Sequence, residues 1–296
     1  MPRALFAPQH WPVWFGVGVM ALLARMPGVI ARPVARAFGR LLGVLMRSRK
    51  RVAMRNLALC FPEFDEAARA HIADRSFASL GEGAYEFARA WWGSVDNVNY
   101  TISGLEHIER AHAEGRGVLL LSGHFLTLEI CGRLLCKHIA LAGMYRRHGA
   151  PVFEWAVRRG RLRYACAMFA REELRAAVKH VKAGGCLWYA PDQDMRGKDT
   201  VFAPFFGVPA STITATWQLA RLTGAAVIPF FHHRDGRGGY VLRIGEPLAE
   251  ITGEENAAHT ARVNALIEAM VREAPDEYLW IHKRFKSRPP GETGVY

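Results

Sequence analysis

The chain has 296 residues, 50% of them hydrophobic and 22% charged. That excludes wholesale disorder and leaves room for one sizeable core or two modest domains. Lys and Arg outnumber Asp and Glu by 39 to 27, for a net charge of +12, but the first 62 residues carry ten basic residues and no acidic one, and Lys283–Arg288 adds four more. Those fourteen charges exceed the total, which excludes a uniformly basic protein and leaves a near-neutral body with two cationic segments.

The run from Trp11 to Leu23 is uncharged. With its flanks it reaches 15 residues before Arg25, short of the roughly 20 a spanning helix needs. Snorkelling at Arg25, or Trp11 and Trp14 in the headgroup region, closes part of the gap. One Arg precedes the run and nine basic residues follow it by position 55. That order argues against a cleavable signal peptide and places the following body in the cytoplasm. From Val29 to Arg47, Arg32, Arg36 and Arg40 fall at i, i+4 and i+8, with Val34, Phe38, Leu41, Leu42 and Leu45 filling much of the other side. This predicts a basic interfacial helix on anionic lipid; a solvated face of a core helix is the plainer alternative. The expected division is therefore a membrane anchor with a basic interfacial helix over 1–50 and a catalytic domain over 51–296.

Along the body, helical periodicity runs over Glu66–Trp91, with Asp65 placed to cap it. Gly117–Ser122 (GVLLLS) reads as a buried strand, followed by Gly123, His124 and a helix to about Lys137. Strands are expected at Ile139–Tyr145, Cys186–Ala190, Ala226–His232 and Gly239–Ile244, and helices at Pro151–Arg163, Arg171–Ala183, Thr212–Leu222 and Asn256–Glu273. Asp235–Gly239 (DGRGG) reads as a hairpin loop. The alternation predicts an α/β fold, a sheet with helices packed on its faces. Five cysteines without a C-x-x-C or a Cys/His zinc spacing read as reduced thiols of a cytosol-facing body.

His124 and Glu129 in SGHFLTLE are the informative pair. On a continuous helix i and i+5 do not share a face. With His124 on the strand-to-helix turn and Glu129 one turn into the helix, the carboxylate can hold one ring nitrogen and leave the other as a general base. The spacing alone favours a structural histidine at a helix start, because His-x4-acid arises often by chance. Other chemistries lack their motifs. Ser122 in LLSGH is not a nucleophile elbow, no H-E-x-x-H supports zinc, and no phosphate-binding loop is present. A His/carboxylate dyad acting directly on a substrate hydroxyl survives.

Seven blocks carry a resemblance over nearly the whole chain: RNLALCFPEF (55–64), GHFLTLE (123–129), MYR (144–146), WYAPDQD (188–194), VFAPFFGVPASTITATWQLAR (201–221), IPFF (228–231) and YLWIHKRFKSRP (278–289). The chain resembles the late lauroyl/myristoyl-type acyltransferases of bacterial lipid A biosynthesis, within the lysophospholipid and glycerolipid acyltransferase superfamily. The resemblance implies a mixed, mostly parallel central sheet flanked by helices, with an N-terminal membrane-anchoring helix. It implies acyl transfer from acyl carrier protein to the hydroxyl of a 3-hydroxyacyl chain on a Kdo-bearing lipid A precursor, at the bacterial inner membrane, with no cofactor and no metal. His124 would act as base and Glu129 would orient it. Arg146, in the family's second block, would bind a phosphate, although adjacent Arg147 has the same chemistry and a surface salt bridge would explain either. Asp192 and Asp194 would bind a cation such as Arg146, or sugar hydroxyls, or would simply form a turn. Thr212, with Thr214 and Thr216, would open a helix able to receive an anion or merely cap it. The basic segments, including Lys283–Arg288, would dock an acidic carrier and anionic lipid. The same chemistry on another membrane lipid or a lysophospholipid is the nearest alternative. A non-catalytic membrane or nucleic-acid binder is a distant one, since no nucleic-acid motif is present.

Overall fold

The computed structural model describes residues 3–249 and 256–296. Four helices come first: α1 (Trp11–Leu23), α2 (Gly28–Leu45), α3 (Arg47–Cys60) and α4 (Glu66–Trp92). The Asp65 side chain accepts from the Ala68 amide at 2.7 Å and so caps α4 as expected. Then follow β1 (Tyr100–Ser103), α5 (Leu105–Ala113), β2 (Val118–Leu121), α6 (Leu128–Leu135), β3 (Leu141–Tyr145), α7 (Pro151–Arg161), β4 (Ala167–Ala170), α8 (Leu174–Lys182) and β5 (Cys186–Tyr189). The chain continues with β6 (Thr200–Phe205), β7 (Val208–Ile213), α9 (Ala215–Thr223), β8 (Ala226–Arg234), β9 (Tyr240–Ile244) and α10 (Asn256–Glu273).

The main sheet has the order β1-β9-β8-β2-β5-β3-β4. β8, β2, β5, β3 and β4 run parallel, and β9 turns back antiparallel to β8. This is the mixed, mostly parallel sheet expected. β2 is buried along its whole length because helices cover both faces of the parallel core, which is why it reads as an unbroken apolar run. The β8–β9 connection is the expected hairpin. Asp235 Oδ1 accepts from the Arg237 and Gly239 amides, and Gly236 and Gly238 take the positive φ the turn needs.

One expectation fails locally. Thr212 does not open a helix: it lies in β7, which pairs antiparallel with β6, and α9 begins only at Ala215. β-Branched Thr212 and Ile213 satisfy the strand, and the β6 partner, invisible to helical periodicity, decides the outcome. At the N-terminus, no helix among the described residues is long and apolar enough to cross a membrane. The 13 residues of α1 span about 20 Å against a hydrocarbon core of about 30 Å.

Helix α2 packs with its small side inward. Gly39 and Gly43 are buried against α4, where a Cβ on Gly39 would overlap the Phe77 carbonyl oxygen and one on Gly81 the Ala35 carbonyl oxygen. The large apolar residues Val29, Val34, Phe38, Leu41 and Leu45 are left exposed. Arg32 and Arg36 turn toward the body. Arg36 forms a two-pronged pair with buried Glu82 at 2.6 and 3.1 Å, and Arg32 donates to the Gly238 carbonyl at 2.6 Å. Arg32 and Arg36 thus tie α2 to the body, while Arg40 of the same row stays exposed.

Candidate active site

β2 and β5 lie side by side in parallel, with Leu121 opposite Tyr189. His124 and Asp192 are each three residues beyond those strand ends, at the carboxyl edge of the sheet where open α/β folds place their sites. His124 Nδ1 lies 2.5 Å from Asp192 Oδ1, and the His124 amide donates to Oδ2 at 2.8 Å. Asp192 is 1% exposed, and the Tyr278 hydroxyl also donates to it. The His124 loop is held from the far side: Leu279 N donates to His124 O, Leu126 N to Glu277 O, and Phe125 bridges to Tyr278. Ser122 is fully buried against His232, away from the groove, so it is no nucleophile.

Burial disfavours a charged imidazole, but the Asp192 charge and hydrogen bond outweigh it and hold the His124 pKa above its ordinary 6.5. Burial likewise opposes the Asp192 carboxylate, and the His124 partner together with its other donors drives its pKa well below the usual range. With Nδ1 engaged, Nε2 has no partner among the described residues.

Glu129 does not touch this histidine, which corrects the dyad expected from sequence. It sits on the first turn of α6 and faces α4 and α7. Arg161 binds it through both Nε (3.0 Å to Oε1) and Nη2, Trp91 Nε1 donates at 2.8 Å, and Tyr164 donates at 3.1 Å. Burial opposes the charge, yet Arg161 wins and the Glu129 pKa is lowered. Arg161 is in turn kept charged against burial by Glu129. The physical reason for the miss is that His124 precedes the helix. Its ring turns toward the β5 loop, a neighbour set by sheet order rather than by sequence distance.

A groove of about 350 Å³ opens beside His124. Its mouth holds His124, Arg146, Arg161 and Gln193, and its walls are Leu128, Gly132 and Cys136 of the α6 segment facing Leu141–Met144 of β3, with Met168 and Trp188. Because Tyr145 ends β3 at the carboxyl edge, the groove descends from His124 toward Leu141 and Cys136, about 13 Å along the strand. It is a mostly apolar slot with a histidine and two arginines at its entrance. Arg146 lines it and carries no hydrogen bond or ion pair among the described residues, whereas Arg147 pairs with Glu172 and Glu173. This separates the two arginines.

The remaining expected site residues lie elsewhere. Asp194 accepts from the Ser287 amide and hydroxyl at 2.9 and 3.1 Å, tying down the C-terminal segment rather than meeting Arg146. Asp192 likewise meets His124 and not Arg146. Thr212 is buried and accepts from Arg284 at 2.6 Å and Asn264 at 3.3 Å, so it presents nothing to an anion. Arg284 itself is 2% exposed and bonds the Ser211 carbonyl, which removes it from the expected C-terminal docking patch. Sequence reasoning missed Arg161 and Tyr278 as neighbours of the site; Tyr278 lay within a quoted block, and nothing local marked Arg161.

The model of the bacterial lipid A biosynthesis acyltransferase family matches residues 2–287. The chain is 37% identical over 298 residues to the lipid A biosynthesis lauroyltransferase of Escherichia coli strain K12, covering 99% of this chain and 97% of that protein. The chain belongs to the bacterial lipid A biosynthesis acyltransferases. Two further E. coli K12 relatives are the palmitoleoyltransferase (36% identity, 99% and 97% coverage) and the myristoyltransferase (30%, 98% and 91%). A crystal structure of a 1-acyl-sn-glycerophosphate acyltransferase from Thermotoga maritima aligns at TM-score 0.40 and 16% identity, covering 83% of this chain and 97% of that one. In this acyltransferase the His124–Asp192 pair stands beside the apolar groove.

Proposed function

We propose that this acyltransferase moves a lauroyl or myristoyl group from an acyl carrier protein thioester to the hydroxyl of a 3-hydroxyacyl chain on a Kdo-bearing lipid A precursor. The observation that carries the reading is a histidine whose Nδ1 is fixed by buried Asp192 at the mouth of an apolar slot.

His124 Nε2 takes the acceptor hydroxyl proton as the oxygen attacks the thioester carbonyl carbon. Asp192 sets the tautomer and stabilises the imidazolium. The tetrahedral intermediate collapses with loss of the thiolate, which receives the proton from His124. An ester forms, a thioester breaks, and no acyl-enzyme is made. Arg161, held by Glu129, supplies positive charge at the groove mouth for the developing oxyanion. The slot takes the acyl chain, each buried CH₂ contributing about 0.8 kcal/mol. Arg146 takes a phosphate.

The chain acts at the cytoplasmic face of the bacterial inner membrane in this reading. The exposed apolar row of α2 and the exposed Trp11, Phe15 and Leu22 of α1 support an interfacial seat for the N-terminal helices. Mass spectrometry of lipid A from cells with and without the gene tests the whole reading. The expected result is one added C12 or C14 ester on a secondary position; identical spectra would overturn it.

A further inference from the structure

A second cavity, of about 980 Å³, lies between α7 and the N-terminal segment. Four guanidiniums line it, those of Arg147, Arg158, Arg159 and Arg163, against the single carboxylate of Glu154. Both Glu154 oxygens are already engaged, one by the Tyr145 hydroxyl at 2.6 Å and one by the His148 amide at 2.9 Å. The cations are in part held in place. Arg163 donates to the Trp91 carbonyl at 2.6 Å, and the Arg159 guanidinium lies over Trp155, 5.4 Å from the ring centre. Arg158 is exposed and has no hydrogen bond or ion pair among the described residues.

An aromatic relay joins this cationic cavity to an apolar surface. Trp155 packs on Trp14 of α1 with ring centres 5.5 Å apart, and Trp14 stacks on Phe6 at 5.9 Å. Phe6, Trp11 and Phe15 are largely exposed, Phe15 by 75%. Tyr145 lines both this cavity and the apolar groove beside His124. Exposed apolar edge, aromatic wall and charge therefore follow one another toward the Tyr145 wall shared with the groove.

We propose that the α7 cavity is the headgroup site for a phosphorylated amphiphile, the acceptor lipid of the proposed reaction. Guanidinium forks match phosphate oxygens in pairs. The apolar edge favours a lipid over a water-soluble acidic carrier, which has no use for exposed Phe6 and Phe15. The inference rests on the proposed function for the identity of the acceptor but not for the chemistry of binding.

The test uses the full chain and two readouts. The first is binding to phosphatidylcholine vesicles with and without phosphatidic acid. The second is steady-state transfer with acceptor and donor varied separately. In Arg158→Ala/Arg159→Ala, affinity for the phosphatidic acid vesicles is expected to fall about tenfold or more, as for a lost charge-assisted contact, with no change on phosphatidylcholine alone. KM for the acceptor rises by a similar factor, while KM for the donor and kcat hold. Arg158→Glu, at an exposed side chain the fold does not use, gives a larger loss in the same direction. Unchanged phosphatidic acid binding in both variants overturns the site. A rise in donor KM with acceptor KM unchanged also overturns it and assigns the cavity to the carrier. If the wild type transfers no acyl group, the proposed function fails while the vesicle readout still decides the site.

Discussion

His124 and Asp192 occupy matching positions in the loops after two neighbouring parallel strands, each three residues past the Leu121–Tyr189 register pair, and Nδ1 lies 2.5 Å from Oδ1. With His124 as the proposed base, the electrostatics of the pair predict a pH dependence. A base must be neutral to accept a proton, and the His124 pKa lies above 6.5. The rate kcat/KM should therefore rise with pH through a value above 6.5. In Asp192→Asn the imidazolium loses its counter-charge while burial remains, so the rising limb should move to lower pH as the rate falls. A limb that stays in place in this variant argues against the pairing.

The same pair bears on stability. The Asp192 contribution is present above the ordinary carboxyl value of 3.8 and is lost as pH falls through its depressed pKa. The His124 contribution is present below 6.5 and is lost as pH rises through its raised pKa. Urea melts of the wild type against Asp192→Asn should differ most between those two values and converge at very low pH.

Glu129 bonds Arg161 and not the histidine, so its proposed role runs through Arg161. Glu129→Gln should lower kcat by about a hundredfold, the scale of a lost oxyanion contact, without moving the rising pH limb. His124→Ala should cost roughly a hundredfold to ten-thousandfold. A shift of the limb in Glu129→Gln would return Glu129 to the role of histidine partner. Full truncation in Glu129→Ala leaves a buried guanidinium unpaired and should also destabilise the fold, by about 3–5 kcal/mol.

Chain length should answer to Gly132. It lines the groove, and a Cβ there meets nothing within 4 Å, whereas one on Gly143 would press on Met168 at 3.1 Å. Gly132→Leu should keep transfer from short acyl donors and weaken longer ones, about fourfold for each CH₂ kept out of the groove. Competition between donors of different length measures this. An unchanged preference would place the acyl chain elsewhere.

The close seat of α2 on α4 needs bare glycines. Gly39→Ala puts a methyl into the Phe77 carbonyl and should cost about 1–3 kcal/mol through forced separation of the helices, read as a lower urea midpoint. Gly18→Ala, where a Cβ meets nothing, is the control expected to leave the midpoint in place.

The sequence by itself determined the elements whose signal is local. The apolar run of β2, the Asp65 cap and periodicity of α4, the glycine hairpin at 235–239 and the span of α10 all follow from residues close in the chain. The ordered family blocks carried the reaction class. The partners of the charged groups were not legible. His124 took a carboxylate 68 residues away, Glu129 an arginine 32 away, and Thr212 a buried arginine 72 away. Strand order and helix seating choose such contacts, because an ion in a low-dielectric interior goes to whichever opposite charge the packing brings near. The opening charge count changed meaning for the same reason. Arg32, Arg36 and Arg284 are engaged by the fold's own groups, while Arg158 and Arg159, unremarkable in sequence, meet an aromatic wall only because α7 lies against α1.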